Sequence, residues 1–245
     1  MELQLRNMIS LYDKCVFIHI PKTAGQSIET VFLERAGLEW ESRQSFLLKK
    51  NSEPQLGPPR LAHLTALEYL QLGYLSPQKF EQLYKFTVVR NPWDRLVSEY
   101  VYQQYPFSFK DFIFKHFPPK DHDDYVNHNG HYRHVMPQWQ FICDQDGHII
   151  VDAVIKFESL QHDFNKVSLN ITGQKIFLPH RNKTAMNTLV AKLKAKTQKL
   201  LTGTSTNKVH YSDYYDEESK AWVADYYAKD INMFNYSFEN KTRMG

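Results

Sequence analysis

Two short stretches of this sequence carry residue types and spacings suited to holding phosphate or sulfate. The first is Ile18-His19-Ile20-Pro21-Lys22-Thr23-Ala24-Gly25-Gln26-Ser27. A small-residue loop that runs into a helix start turns several backbone N–H groups toward one point, and the helix dipole adds positive potential there. Lys22 brings a full charge, Thr23 and Ser27 bring hydroxyls, and Ala24, Gly25 and Gln26 complete the loop. It is not the nucleotide loop GxxxxGK[ST], because here the lysine precedes the glycine. A plain strand-to-helix turn with an exposed lysine is the competing reading.

The second stretch is Val88-Val89-Arg90-Asn91-Pro92-Trp93-Asp94-Arg95-Leu96-Val97-Ser98. Arg90 falls at the end of an apolar run, where ligands bind in open α/β sheets. Its fork of donors matches phosphate oxygens. Ser98 lies about two turns into the following helix, so Arg90 and Ser98 meet on one phosphate only if it lies beside those turns. The competing reading is a helix start with a surface arginine. Taken together, two strand-to-helix anion sites in one sheet imply a ligand with two separated phosphate groups.

The elements that must position these residues follow from hydrophobic periodicity and turn chemistry. Cys15–Ile20, Lys85–Val89 and Ile149–Phe157 read as buried strands. Helices are expected over Ser27–Arg35, over Thr65–Leu72 with Thr65 and Glu68 as a capping box, and from Ser76-Pro77 to near Tyr84. Asn91-Pro92 caps and starts another, running to about Tyr102. Leu160, Phe164 and Val167 space as a helix, Ala185–Leu200 is basic and amphipathic, and Tyr214–Lys229 reads as the last helix. Strands alternating with helices predict an α/β fold with a central parallel sheet flanked by helices. At roughly 100–200 residues per domain, the 245 residues are read as one domain, 1–245, with functional loops near 49–60, 117–130 and 201–207.

Composition excludes several classes. Two cysteines rule out a disulfide scaffold and a Cys-rich zinc site. A net charge of +3 gives no argument for nucleic acid. No apolar run approaches the ~18 residues of a membrane span. Met1 to Asp13 lacks the apolar region of a signal peptide, so a cytoplasmic protein is expected, with a trimmed lumenal domain as the alternative. Oligomeric state is not legible. Asp121, His122, Asp123, Asp124, His128, His131 and His134 are dense in possible metal ligands, but their spacing fits no standard zinc site. They read as a solvated, ligand-facing loop, and no metal is expected.

The pair PKTAGQS and RNPWDRLVS resembles the two nucleotide-binding signatures of the sulfotransferase superfamily. It most resembles the carbohydrate group that includes the heparan uronosyl 2-O-sulfotransferases. Further segments match: Leu61-Ala62-His63-Leu64-Thr65, Phe157-Glu158-Ser159-Leu160, and Pro179-His180-Arg181-Asn182-Lys183-Thr184, similar to the loop that closes over the nucleotide. Gln26 stands where Ser or Thr is usual, Asn182 where the 2-O enzymes carry Arg, and Leu61 where they carry a second His. The resemblance implies a P-loop NTPase-like sulfotransferase fold and 3′-phosphoadenosine-5′-phosphosulfate (PAPS) as co-substrate, with the product PAP. It implies that Lys22, Thr23, Ala24, Gly25, Gln26 and Ser27 hold the 5′-phosphosulfate and that Arg90 and Ser98 hold the 3′-phosphate. Lys183 and Thr184 are implied as further nucleotide contacts.

The implied reaction is in-line transfer of a sulfuryl group to a hydroxyl, on a carbohydrate or other acceptor. Lys22 would stabilise the charge that grows on the leaving oxygen. His63 by itself reads as a neighbour of the Thr65 cap; the resemblance makes it the candidate base. His19, inside an apolar strand, reads as packing or support. Two alternatives stand: a small-molecule kinase using Mg-ATP, and a nucleotide-binding protein without activity.

Overall fold

The computed structural model describes residues 8–10, 12–39, 41–42, 50–120, 123–124, 129–179 and 209–240. Its strands are β1 (Ile9–Ser10), β2 (Cys15–Ile18), β3 (Tyr84–Val89), β4 (Asp123–Asp124), β5 (Asn129–Gly130) and β6 (Ala153–Lys156). β4 and β5 form a small antiparallel ribbon. The main sheet has the order β1-β2-β3-β6. β2, β3 and β6 are parallel, with Phe17 opposite Phe86 and Phe86 opposite Ala153, whereas β1 is antiparallel to β2.

Every residue from Cys15 to Ile18 and from Lys85 to Val89 is buried, as strands covered on both faces must be. On one face Phe17 and Phe86 stack with ring centroids 5.1 Å apart. Phe86 also meets Phe32 of α1 (Gly25–Arg35) and Phe164 of the helix Leu160–Thr172. Because these three strands run the same way, Ile18, Val89 and Lys156 all lie at one end of the sheet. The loops that follow them therefore gather there.

The remaining helices are α2 (Ala66–Gln71), α3 (Pro77–Gln82), α4 (Pro92–Gln103), α5 (Phe109–Lys115), α6 (His131–Val135), α7 (Trp139–Ile142), α8 (Leu160–Thr172), α9 (Glu217–Tyr226) and α10 (Ala228–Phe234). Their starts follow local chemistry. The Thr65 side chain accepts from the Glu68 N–H, and the Glu68 carboxylate accepts from the Thr65 N–H. The Asn91 side chain accepts from the Trp93 N–H and opens α4.

Three expectations need correction. The first strand stops at Ile18, because His19 and Ile20 already belong to the loop. The third strand is only Ala153–Lys156: Ile149 bridges to Cys143 around a turn at Gly147 (φ 88°), and Phe157 opens a 3-10 turn. The last helix is two. Tyr211–Tyr214 is a 3-10 turn, Asp216 caps α9, and the chain breaks at Tyr227 before α10. Lys183, Thr184 and the expected helix 185–200 lie outside the described residues. No described helix is long and apolar enough to cross a membrane.

Candidate active site

The loop between β2 and α1 is shaped by its own backbone and fastened by α4. Lys22 and Ala24 both take positive φ, 70° and 72°. Ala24 is the N-cap of α1 and offers no side-chain cap. The N–H groups of Lys22, Thr23, Ala24 and Gly25 make no backbone hydrogen bond among the described residues. Two arginines of α4 and its approach hold the loop from behind. Arg95 donates from Nε to the Pro21 carbonyl at 3.0 Å, and Arg90 donates from Nη1 to the Lys22 carbonyl at 3.0 Å. In a trans peptide the N–H points opposite to the C=O. Fixing those two carbonyls therefore turns the N–H groups of Lys22 and Thr23 the other way. The result is a row of unpaired donors at a helix start, the arrangement that receives an oxyanion.

Gly25 is required by close approach. A Cβ there would lie 1.9 Å from His19 Nε2. His19 is buried and its Nδ1 sits 2.7 Å from the Glu29 carboxylate of α1, a contact poorly aligned for a hydrogen bond. Thr23 is fully buried, and its hydroxyl donates to the Ile20 carbonyl. Its contact to an anion must come from its N–H, not from the hydroxyl.

Lys22 places its ammonium 3.7 Å from the centre of the Tyr102 ring. Burial pulls its pKa down to about 8; Glu99 opposes that fall, while Arg90 and Arg95 add to it. Glu99 only partly offsets the burial and the two guanidiniums, so a further anion beside Lys22 would be stabilised there.

Arg90 packs its guanidinium over the Phe157 ring, 4.2 Å from the centre, and donates from Nε to Asp94 at 2.8 Å. Its Nη2 makes no hydrogen bond among the described residues. Ser98, half-buried, likewise leaves its hydroxyl uncommitted there. Asp94 and Ser98, at i and i+4, share one side of α4, and Arg90, which precedes the helix, is tied to that side by its bond to Asp94. The backbone of Arg90 is held by the Gln138 amide, which accepts from its N–H and donates to its C=O. Asp230 accepts from the N–H groups of Gln138 and Trp139, and burial pushes its pKa up to about 6.

Beside the loop lies a cleft of about 280 Å³ whose walls include Lys50, Arg60, His63, Tyr102, His131 and His134. His63 sits on the 3-10 turn Leu61–His63, with Nδ1 3.3 Å from the His19 carbonyl. Burial, then the neighbouring His19 and His134, hold its pKa well below the usual imidazole value. His63 is therefore neutral at pH 7. The His134 ring meets it edge-on at 5.5 Å and has its Nδ1 on the buried Glu99 carboxylate at 3.0 Å.

The family model described as Sulfotransferase family matches residues 7–237. The chain belongs to the sulfotransferase family. No curated protein and no solved structure matches it. The mixed α/β sheet with its flanking helices is the sulfotransferase fold, and the family carries out sulfuryl transfer.

In this sulfotransferase-family chain the residues singled out from the sequence fall into two groups. Lys22, Thr23, Ala24, Gly25, Gln26 and Ser27 form the loop and first turn of α1, Arg90 donates to that loop from just before α4, and Ser98 lies on α4; His63 opens into the adjoining cleft. Lys183 and Thr184 are not among the described residues. Sequence reasoning missed Arg95, Glu99, Tyr102, Gln138 and Asp230. Only Arg95 carried a signal, a second arginine inside the second motif. Of the His/Asp-rich segment, Asp123 and Glu68 pair with Arg133, and His134 pairs with Glu99. Asp144, Asp146 and His148 form the one metal-type grouping among the described residues. It lies on an exposed turn that Asp144 itself stabilises by accepting the N–H groups of Asp146 and His148.

Proposed function

We propose that this chain transfers a sulfuryl group from PAPS to a hydroxyl of a carbohydrate. The observation that carries the reading is the α1 loop: unpaired N–H donors held in place by Arg90 and Arg95, with a desolvated Lys22 at their side. That donor set fits a doubly phosphorylated nucleotide. The loop N–H groups and Lys22 would hold its 5′ end, and Arg90 Nη2 with the Ser98 hydroxyl its 3′-phosphate. PAPS supplies an activated sulfuryl group that leaves with a phosphate oxygen. Lys22 neutralises charge at that oxygen, and the loop N–H groups do so without reorganising. His63 offers Nε2 to the acceptor hydroxyl, because Nδ1–H faces the His19 carbonyl. A neutral imidazole is in the form able to take a proton.

The cleft favours a polar acceptor, being walled by Lys50, Arg60 and three imidazoles. No step needs a metal ion, so the proposal includes none. It also keeps one domain over 1–245 and a cytoplasmic location. The free, buried thiols of Cys15 and Cys143 support the latter.

Thermal stability with PAP, ADP or ATP, each with and without Mg²⁺, tests the nucleotide. A ligand at 100 times its Kd adds about 2.7 kcal/mol. A rise selective for PAP and independent of Mg²⁺ is expected. A rise with Mg-ATP and none with PAP overturns the proposal in favour of a kinase. PAP binding without transfer from PAPS to any of a panel of oligosaccharides overturns it in favour of a binding protein.

A further inference from the structure

Two of the three imidazoles lining the cleft, His63 and His134, each turn Nδ1 to a protein acceptor, and the acceptors differ. His63 directs Nδ1–H at a backbone carbonyl, which carries only partial charge. His134 directs Nδ1–H at the carboxylate of Glu99, which is 2% exposed. A carboxylate only accepts there, so Nδ1 carries a proton, and it is Nε2 that bears the lone pair in the neutral form of the ring. That nitrogen makes no hydrogen bond among the described residues, and the ring lines the cleft. The Glu99 carboxylate is fixed at both oxygens, by His134 at Oε2 and by the Gln103 amide at Oε1. The His134 carbonyl is fixed as well, by Arg95 at 3.0 Å.

We propose that the Glu99–His134 pair is a second proton-accepting group of this cleft, and the stronger of the two. This rests on the sulfuryl-transfer reading above for the reaction it serves. The O–H bond of the acceptor breaks, an N–H bond forms at His134 Nε2, and the oxygen's electron pair becomes available to the incoming sulfuryl group. The new imidazolium lies against a full negative charge, which His63 lacks. The charged and titratable groups facing the pair are Lys22 and Tyr105 beside Glu99, His63 across the edge contact, Arg95 at the His134 backbone, and Lys50, Arg60 and His131 on the cleft wall. Arg133 on the same helix is paired with Glu68 and Asp123. None of these facing groups is a carboxylate, so Glu99 is the carboxylate that can stabilise a proton on His134. Glu99 keeps its charge for this: burial opposes ionisation, but the His134 and Gln103 hydrogen bonds and nearby Lys22 hold its pKa below the usual carboxylate range.

The test uses Glu99→Gln and His134→Asn in the full chain, with PAP melting shifts to confirm an intact nucleotide site. Histidine ¹⁵N spectra of the PAP-loaded protein are titrated from pH 5 to 9. The His134 midpoint is expected to move to lower pH in Glu99→Gln. With PAPS and a desulfated glycosaminoglycan as probe acceptor, kcat is expected to fall by about 10²-fold in either variant, with KM for PAPS unchanged. The acid limb of the pH–rate profile moves to lower pH in Glu99→Gln. An unmoved His134 midpoint, or unchanged kcat in both variants, overturns the proposal while leaving the sulfuryl-transfer reading intact. If PAPS is not consumed by the wild type although the midpoint shifts, the underlying reading fails instead, and with it the catalytic role of the pair.

Discussion

Lys22→Met separates the stability of this site from its chemistry. Lys22 normally titrates near 10.5 and here is held at about 8, chiefly by burial. At about 1.4 kcal/mol per pKa unit, keeping this ammonium charged costs the folded state about 3 kcal/mol, less whatever solvent returns by reaching the half-buried head group. The sign follows from the charge. A lysine whose folded pKa is depressed loses stability as pH falls from 10.5 to about 8, and the whole cost is present below about 8. Methionine of similar length removes that cost and keeps contact with the Tyr102 ring, forfeiting a cation–π contact of about 0.5–2 kcal/mol. The variant is therefore expected to be more stable than wild type by about 1–2 kcal/mol at pH 7, a gain of several degrees in Tm. The advantage vanishes as pH rises toward 10.5. Turnover with PAPS is expected to fall about 10²–10³-fold, and PAP affinity by under about tenfold, because the loop N–H groups remain. Urea unfolding at pH 6, 7, 9 and 10, with PAP release and calorimetry, reads all of this. A variant less stable at pH 7, or one whose PAP affinity falls as far as its turnover, refutes the assignment of Lys22 to charge development in the reaction.

Two further substitutions probe the supports. Gly25→Ala drives a methyl into the His19 ring, 1.9 Å from Nε2; a loss of about 1–3 kcal/mol is expected, together with loss of the PAP melting shift. Unchanged PAP affinity would show that the loop tolerates movement of His19. Arg95→Lys removes a guanidinium that donates to the carbonyls of Pro21, His134 and Met136. One ammonium cannot serve all three, and each buried carbonyl left alone costs about 1–3 kcal/mol. Denaturant unfolding should register at least about 2 kcal/mol, and a loss under 1 kcal/mol would mean that those carbonyls find other donors.

What the sequence revealed is what is settled over a few residues. The Thr65–Glu68 box and the Asn91-Pro92 start are exchanges between near neighbours, and both motifs are continuous in the chain. Lys22, Arg90 and Ser98 could be read for that reason. Other features depend on distant partners. Arg95 reads as one more charge on a helix until its acceptors at Pro21, His134 and Met136 are seen. Glu99 and His134 are 35 residues apart. β1 is two residues long and carries no periodicity. The break at Tyr227 involves neither glycine nor proline, so the pattern ran on through it. The apolar run after Ile149 looked like a strand because hydrophobicity does not distinguish a ladder from the return arm of a turn.

Arg95 also bears on how the acceptor range of such a protein can change. Its one rigid plane touches the backbone of the donor loop on one side and the backbone beneath His134 on the other. Displacement of that plane carries both seats along, so the gap between them is conserved while the whole drifts. In-line transfer requires reacting atoms about 3–3.5 Å apart, a spacing that this common anchor protects. The far wall, around Lys50 and Arg60, is not among its partners. That wall is free to be rebuilt for new acceptors with the reacting distance left untouched.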